Sequence, residues 1–391
     1  MLRLKNAHMD LEILKYSDDF ENQIDQIASL KTINWGLDFD VFRSYVKWNY
    51  IDRPHSKQPI IYFVRAGDKI VAMAGVYEST WRIKDAPAHF SALCSSDLLI
   101  LDEYRNKGIY KKMTDFVLED LERTGAQHFF SFNATPLNTL ISLSRGWKSV
   151  GQIKIMKKQF QTIESTAITL AKKLAGPYAR KLLRKTGIGM LLKKRERNNS
   201  QRIDMICQDP KTQLPPRITI DDKPRPAEMA LLVNNTLPEN KITQLRDELF
   251  FRWRYNNPLS KYLFLYWYDD CLKGYLTLQS HIYSMESGGA HNIFELEATD
   301  SSIKIELLNT LISLIDSGSI STWVNMLDRD SYDFLVSKGF KEDSSAKSIK
   351  NPPRTILIRL LGKDNNKLEF HGLNLLDSTG WDYKMIYLHD F

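Results

Sequence analysis

Apolar and polar positions along this chain fall into one pattern that is written twice. The first copy begins with FRSYVKWNYIDRP (42–54), an aromatic helical stretch ending in Trp48-x-Tyr50 and closing at Pro54. The second begins with FFRWRYNNP (250–258), where Trp253, Tyr255 and Pro258 take the same places. Each stretch is followed by two β-type apolar runs around a turn, at Gly67-Asp68 and at Asp269-Asp270. A third strand follows, then a helix, another strand, and a short helix that closes on Gly-aromatic. In the first copy these are SSDLLIL, residues 109–122, QHFFSFN and LNTLISLSRGW. In the second they are NIFELEA, IKIELLNTLISLI, ISTWVNML and SYDFLVSKGF. A duplicated α+β unit is the economical reading, with domains at 1–160 and 205–391. A length of 391 residues agrees, since one core rarely grows that large.

Residues 161–204 are read as a basic helical connector. The net charge of +7 is not spread over the chain. Between Lys154 and Arg197 stand 13 Lys or Arg against Glu164 and Glu196, leaving the rest of the chain at −4. A basic face covering a whole domain, as nucleic-acid binding requires, is therefore not expected. Leu170, Leu174, Leu182, Leu183, Leu191 and Leu192 give this segment apolar faces, broken at Gly176-Pro177 and Gly187-Ile188-Gly189. It is read as a connector that docks its leucines on the domains. The competing reading is a peripheral membrane contact over 170–197, at the inner face. No apolar run reaches the ~20 residues that span a bilayer. The N-terminus has no signal-peptide pattern, and a cytoplasmic location is expected. The cysteines, Cys94, Cys207 and Cys271, form no CxxC pair. The histidines show no HExxH or His-x-His spacing, and no metal site is expected.

The stretch YRNKGIYKKM (104–113) carries the chemistry. The helix that follows Gly108 has apolar residues at Ile109, Met113, Phe116, Val117 and Leu121, the spacing of one buried face. Its first turn holds Lys111 and Lys112, with Lys107 just before, and no acid, although a helix N-terminus favours negative charge. Strand, glycine turn and helix together gather free backbone N–H groups, and the lysines suit an anion held there. Neither GxxxxGK[ST] nor GxGxxG is present, which argues against a nucleotide-hydrolysing loop and a dinucleotide fold.

The pattern Arg105-Asn106-Lys107-Gly108-Ile109-Tyr110 resembles the [R/Q]-x-x-G-x-[G/A] loop of the GNAT superfamily of N-acetyltransferases. Ile100-Leu101-Asp102-Glu103-Tyr104 is similar to that family's V-x-P-x-[YF] lead-in, with Asp102 for proline. Arg145-Gly146-Trp147 resembles its closing Gly-aromatic. The resemblance implies two GNAT-like domains, each a mixed, mostly antiparallel sheet flanked by helices. It implies acetyl-CoA as acyl donor, with its pyrophosphate on the backbone of Arg105 to Tyr110. Lys107, Lys111 and Lys112 would meet further phosphate charge, and Leu99, Ile100 and Leu101 would lie along the pantetheine arm. Asn133 and Asn138 are candidates for contact with CoA or the acceptor. Ser96 and Asp97 are candidate bases. Ser142 stands where the family's thiolate-protonating tyrosine is usual, and Tyr110 stands where Gly or Ala is usual. In the second copy Ala298-Thr299-Asp300-Ser301-Ser302-Ile303-Lys304 has no glycine, so that domain is read as degenerate and as completing an acceptor cleft. Tandem layouts of this kind resemble Eis-like acetyltransferases and FemABX aminoacyltransferases.

The expected function is direct acetyl transfer from acetyl-CoA to an amine, an amino sugar of a bacterial surface-polysaccharide precursor being the acceptor considered. The rivals are a FemABX-like transferase using aminoacyl-tRNA and a non-catalytic scaffold. The aromatic run from Phe250 to Tyr268 fits either a sugar-stacking surface or a second core, and core is the preferred reading.

Overall fold

The computed structural model describes residues 2–160, 214–342 and 354–388, apart from 7–8, 17–19, 37, 57, 87–88, 282–289, 317 and 363–367. The connector 161–204, with its membrane-contact reading over 170–197, lies outside the described residues.

The first half contributes β1 (Leu2–Asn6), β2 (Met9–Lys15), α1 (Phe20–Trp35), α2 (Phe39–Tyr50), β3 (Ile60–Ala66), β4 (Lys69–Ile83) and β5 (His89–Ile100). It continues with α3 (Ile109–Arg123), β6 (His128–Ala134), α4 (Pro136–Leu143), β7 (Lys148–Ile153) and β8 (Ile155–Phe160). The second half contributes β9 (Ile218–Asp221), α5 (Pro226–Asn235), β10 (Ile242–Gln244), α6 (Glu248–Arg254), β11 (Ser260–Tyr268) and β12 (Leu272–His281). After these come β13 (Ala290–Ala298), α7 (Ser301–Leu314), β14 (Gly318–Trp323), α8 (Arg329–Ser337), β15 (Lys341–Glu342) and β16 (Arg354–Leu360). Local chemistry sets the boundaries. The β3–β4 turn passes through Gly67 at φ 59°, a left-handed value that glycine adopts at no steric cost. Asp38 caps α2 by accepting the amide of Asp40 at 2.9 Å.

Both repeats have the expected order, a meander leading into one parallel pair. In the first sheet β5 and β6 pair in parallel at Leu93–Phe129 and Cys94–Phe130. In the second β13 and β14 do so from Ala290–Ser319 to Asn292–Ser321. All other pairings in both sheets are antiparallel.

The halves also exchange strands, a feature absent from the sequence reading. The first sheet runs β1-β2-β3-β4-β5-β6-β16-β7, with β10 added beside β4; the second runs β15-β8-β14-β13-β12-β11-β9. Thus β16 lies between β6 and β7, in register at Ile358–Phe130 and Ile356–Gly151. Reciprocally, β8 lies between β14 and β15, at Lys158–Ile320 and Lys157–Lys341. Lys154 alone separates β7 from β8, and the chain changes sheets there; its backbone N–H donates to Asn325 Oδ1 at 2.9 Å. Each open edge beside a parallel pair is thereby closed by a strand of the other half.

The hydrophobic interior follows the exchange. One cluster joins Tyr45, Trp48, Trp81 and Phe132 of the first half to Phe251, Tyr255, Leu278 and Trp323 of the second. Phe250, Phe251, Trp253, Tyr255, Tyr262, Phe264, Tyr266 and Trp267 are all buried. The aromatic run is therefore core, as preferred, and offers no exposed sugar platform.

Candidate active site

The cleft of the first sheet is a gap between strands. Past Cys94 and Phe130, β5 and β6 no longer pair, and the gap opens toward the C-terminal end of β5. A bulge in β5 accompanies it: Ala74 faces Leu98 while Val76 faces Ser95, so Ser96 and Asp97 take an irregular place opposite Gly75. Gly75 is required there because the Tyr50 hydroxyl occupies the space above it; an added Cβ would lie 1.8 Å from that oxygen.

The bulge sets its polar residues against α1 and α2. Asp97 is buried, receives a hydrogen bond from the Tyr50 hydroxyl at 2.8 Å, and pairs with the buried Lys31 Nζ at 2.5 Å. Ser96 Oγ accepts from Asn49 Nδ2 at 3.2 Å. Both residues border the cleft, and their polar atoms tie α1 and α2 to β5.

The side chains of Leu99 and Leu101 are core, while Leu98, 43% exposed, faces the cleft. The Leu101 amide donates to Val71 at 3.0 Å, so alternation along the strand turns the amides of Ile100 and Leu98 to the open side. Leu98 is the residue that the sequence reading missed.

The loop that leads into α3 is a tight turn. After a 3-10 turn at Asp102–Tyr104, Asn106 and Gly108 both adopt left-handed φ, 60° and 74°. Alternation of this kind points successive amides to one side. Gly108 is the N-cap of α3, without a side-chain hydrogen bond to the first turn, and the turn carries no acid. Arg105 reaches back, its Nε donating to the Ile100 carbonyl at 3.1 Å and its Nη1 meeting Asp102 at 2.8 Å. Asp102 and Arg105 thereby pair across the turn at the protein surface. Lys107 stands 5.2 Å from the Tyr104 ring, and Lys111 pairs with Asp115 one turn along at 3.2 Å.

The second copy answers differently at the same point. Asp300 caps α7 with its own carboxylate, accepting from the Ile303 amide at 3.1 Å and from the Ser302 hydroxyl at 2.5 Å. Where the first copy presents open amides, the second supplies its anion from within the chain.

Tyr110 and Ser142 come together. The cleft, about 330 Å³, is bordered by Tyr77, Leu98, Tyr110, Asn133, Asn138 and Ser142 among others. Tyr110, Thr114 and Ser142 line the same stretch of the cleft. Tyr110 thus shares the cleft with Asn138 and Ser142 of α4. Burial pushes its phenol up, against the nearby charge of Arg145, so it is protonated at neutral pH. Asn133 and Asn138 both face the cleft. Thr135, not an asparagine, caps α4, its hydroxyl accepting from the Asn138 amide at 3.3 Å. Arg145 pairs with Asp115, and Arg359 of the exchanged strand holds the Arg145 carbonyl. Trp147 packs on Phe129 with ring centres 5.0 Å apart. Among the described residues, no group of three His, Cys, Asp or Glu is placed to hold a metal ion, and no helix is long and apolar enough to cross a membrane.

No protein-family model matches the chain, and no curated protein matches it. Solved structures do match. A tandem GNAT protein from the clavulanic acid biosynthesis pathway is 9% identical, with 91% of this chain and 100% of that chain covered at a TM-score of 0.52. A GCN5-related N-acetyltransferase from Anabaena variabilis ATCC 29413 is 10% identical over 90% of this chain and 73% of its own, at 0.54. Saccharomyces cerevisiae N-myristoyltransferase with bound myristoylCoA is 10% identical over 91% and 84%, also at 0.54. Gapped parallel pair, bulge, glycine loop and duplication together define a tandem GNAT fold, and these likenesses show that fold across nearly the whole chain.

Proposed function

We propose that this chain is an acyl-CoA-dependent N-acyltransferase whose first domain takes the acetyl group of acetyl-CoA and passes it to an amine. The observation that carries this is the contrast at two equivalent helix starts: α3 opens on Gly108 with uncapped amides, whereas α7 is sealed by Asp300. Open amides beside Lys107 and Lys112 fit a pyrophosphate. Backbone N–H groups of Asn106 to Tyr110 would hold it, and the outward amides of Leu98 and Ile100 would meet the pantetheine arm and the thioester carbonyl. The thioester supplies the activated acyl group. The chain's part is to orient it, and to place a fixed N–H where negative charge develops on the carbonyl oxygen. As the carbon–sulfur bond breaks, Tyr110 O–H gives its proton to the sulfur, the role that Ser142 is too short to fill.

The test is thiol release from acetyl-CoA in the presence of an amine panel, with Gly108→Glu alongside. The reading requires amine-dependent release in the wild type and its loss in the variant. A folded wild type that neither binds nor consumes acetyl-CoA contradicts it. Binding of aminoacyl-tRNA by such a protein would instead support the FemABX-like alternative.

A further inference from the structure

A second cavity, of about 200 Å³, lies where the two halves meet. It shares Asn133 and Leu388 with the donor cleft, so the two spaces adjoin at the C-terminal end of β6. Ile155 borders it from the first half, and Gln279, Asn292, Ser321 and Arg354 from the second. These residues sit on strands of both sheets, Arg354 opening the exchanged strand β16. A ligand here would be gripped by both repeats and would reach the open gap beside Asn133.

The polar groups of the lining are already ordered, set among apolar walls that include Ile155, Phe294, Trp323 and Met385. Ser321 Oγ donates to Asn292 Oδ1 at 2.6 Å, Asn292 Nδ2 approaches Gln279 Oε1 at 3.5 Å and His281 Nε2 at 3.4 Å, and Gln279 Nε2 donates to Ser260 Oγ at 3.0 Å. Fixed amides and hydroxyls of this kind suit a hydroxyl-rich molecule.

Its charge has one sign. Among the described residues no Asp or Glu lines the cavity, while Arg254 and Arg354 do. Arg254 is 1% exposed, donates Nε to the Ile386 carbonyl at 2.9 Å, and lies over the Phe294 ring at 4.7 Å. Among the described residues it forms no ion pair, and its Nη1 has no hydrogen-bond acceptor. A buried guanidinium without a counter-charge is costly, and an anion in the adjoining space relieves that cost. Arg354, half-buried, likewise has no ion-pair partner among the described residues.

We infer that this cavity is the acceptor subsite, and that it takes an amine carrying an anionic group, carboxylate or phosphate, on a hydroxyl-rich skeleton. Its role as acceptor subsite rests on the acyltransferase reading; its preference for an anion does not. In the reaction the amine nitrogen forms the C–N bond as the C–S bond breaks. R–NH2 and acyl-CoA become the amide and CoA–SH, the amine's proton leaving to solvent, the thiolate's arriving from Tyr110, and the Tyr110 phenolate taking a proton back from solvent. A polycationic amine would meet two uncompensated arginines and is excluded.

The experiment titrates full-length protein with glucosamine 6-phosphate and with glucosaminic acid, against glucosamine and spermidine, by calorimetry and then by acetyl transfer. At least one anionic amine binds about tenfold more tightly than glucosamine, and which one does separates phosphate from carboxylate recognition. Arg354→Gln removes that margin, and Asn292→Asp, which places a negative charge in the cavity, removes it independently should the first variant fail to fold. Both leave the affinity for acetyl-CoA unchanged. Equal binding of glucosamine, preference for spermidine, or no binding of either anionic amine overturns the inference. Loss of acetyl-CoA binding alone, with anionic amines still held through Arg354, sinks the donor reading and leaves the cavity's preference standing.

Discussion

Trp48 and Trp253 stack on each other with ring centres 4.9 Å apart and planes 10° from parallel, and each donates its indole N–H to the other's carbonyl at 2.7 Å. Two tryptophans matched by sequence position are thus matched in space, each making the other's contact in return. The symmetry continues outward. The Tyr50 hydroxyl donates to Asp97, and the Tyr255 hydroxyl to Glu295 at 2.7 Å. Lys31 balances Asp97 as Arg246 balances Glu295 at 2.5 Å. Repeated Trp-x-Tyr therefore encodes the joint between domains as well as the likeness of each.

Trp48→Ala removes a buried ring and leaves the Trp253 carbonyl without its indole donor. The expected loss is ~3–5 kcal/mol in urea denaturation. Trp253→Ala loses about the same, and the double variant loses clearly less than both together, because they share one contact. Simple additivity would mean that the stack does not couple the halves.

Strand exchange makes neither half self-sufficient. A fragment ending at residue 160 lacks β16, leaving β6 and β7 without the strand between them, and its own β8 is left without β14. Alone it is expected to lack dispersed amide signals in NMR, and to gain them when mixed with residues 205–391. Independent folding of the first fragment would contradict the exchanged topology.

His281 gives the fold a pH dependence. Burial, and then the charge of Arg254, hold its imidazole down to about 4 against an ordinary 6.5. Between those values the unfolded chain binds a proton that the folded chain does not. Stability therefore falls as pH drops through that window and levels off below it. His281 contributes up to about a tenfold fall in the folded-to-unfolded ratio per pH unit there. His281→Asn should flatten that part of a stability-against-pH curve; an unchanged slope would assign it to other groups.

The Tyr110 role separates turnover from binding. Tyr110→Phe should lower kcat about 100-fold while leaving acetyl-CoA affinity within about twofold. Adding Ser142→Tyr to that variant, which restores a phenol from the neighbouring helix, should recover part of the rate. A Tyr110→Phe enzyme of full activity removes the residue from the chemistry.

Much of this was legible in the chain, for identifiable reasons. Duplicated aromatic, hairpin and helix patterns report burial periodicity, which depends on near neighbours in sequence, and the glycine loop reports a backbone requirement local to Gly108. Misplacements came where distant segments decide. Asp97 reads as a polar strand residue until Lys31 and Tyr50 arrive from other elements. Leu98 and Leu99 exchange faces because a bulge inserts a residue, and the only sign of it was Gly75 among larger apolar residues. The exchanged strands IMKKQF and TILIRL look like ordinary strands of their own halves, since strand pattern shows which face is buried and not which neighbour is paired.

The central claim is a donor site at the uncapped start of α3. Calorimetric titration of acetyl-CoA into wild type, Gly108→Glu and Asp300→Ala tests it most directly. Gly108 stands at φ 74° with nothing within 4 Å of an added Cβ, so glutamate brings backbone strain and negative charge to the loop without disturbing the core. The account predicts micromolar binding by wild type and Asp300→Ala, and at least about a hundredfold weakening in Gly108→Glu. Equal binding by all three, or none by folded wild type, would contradict it.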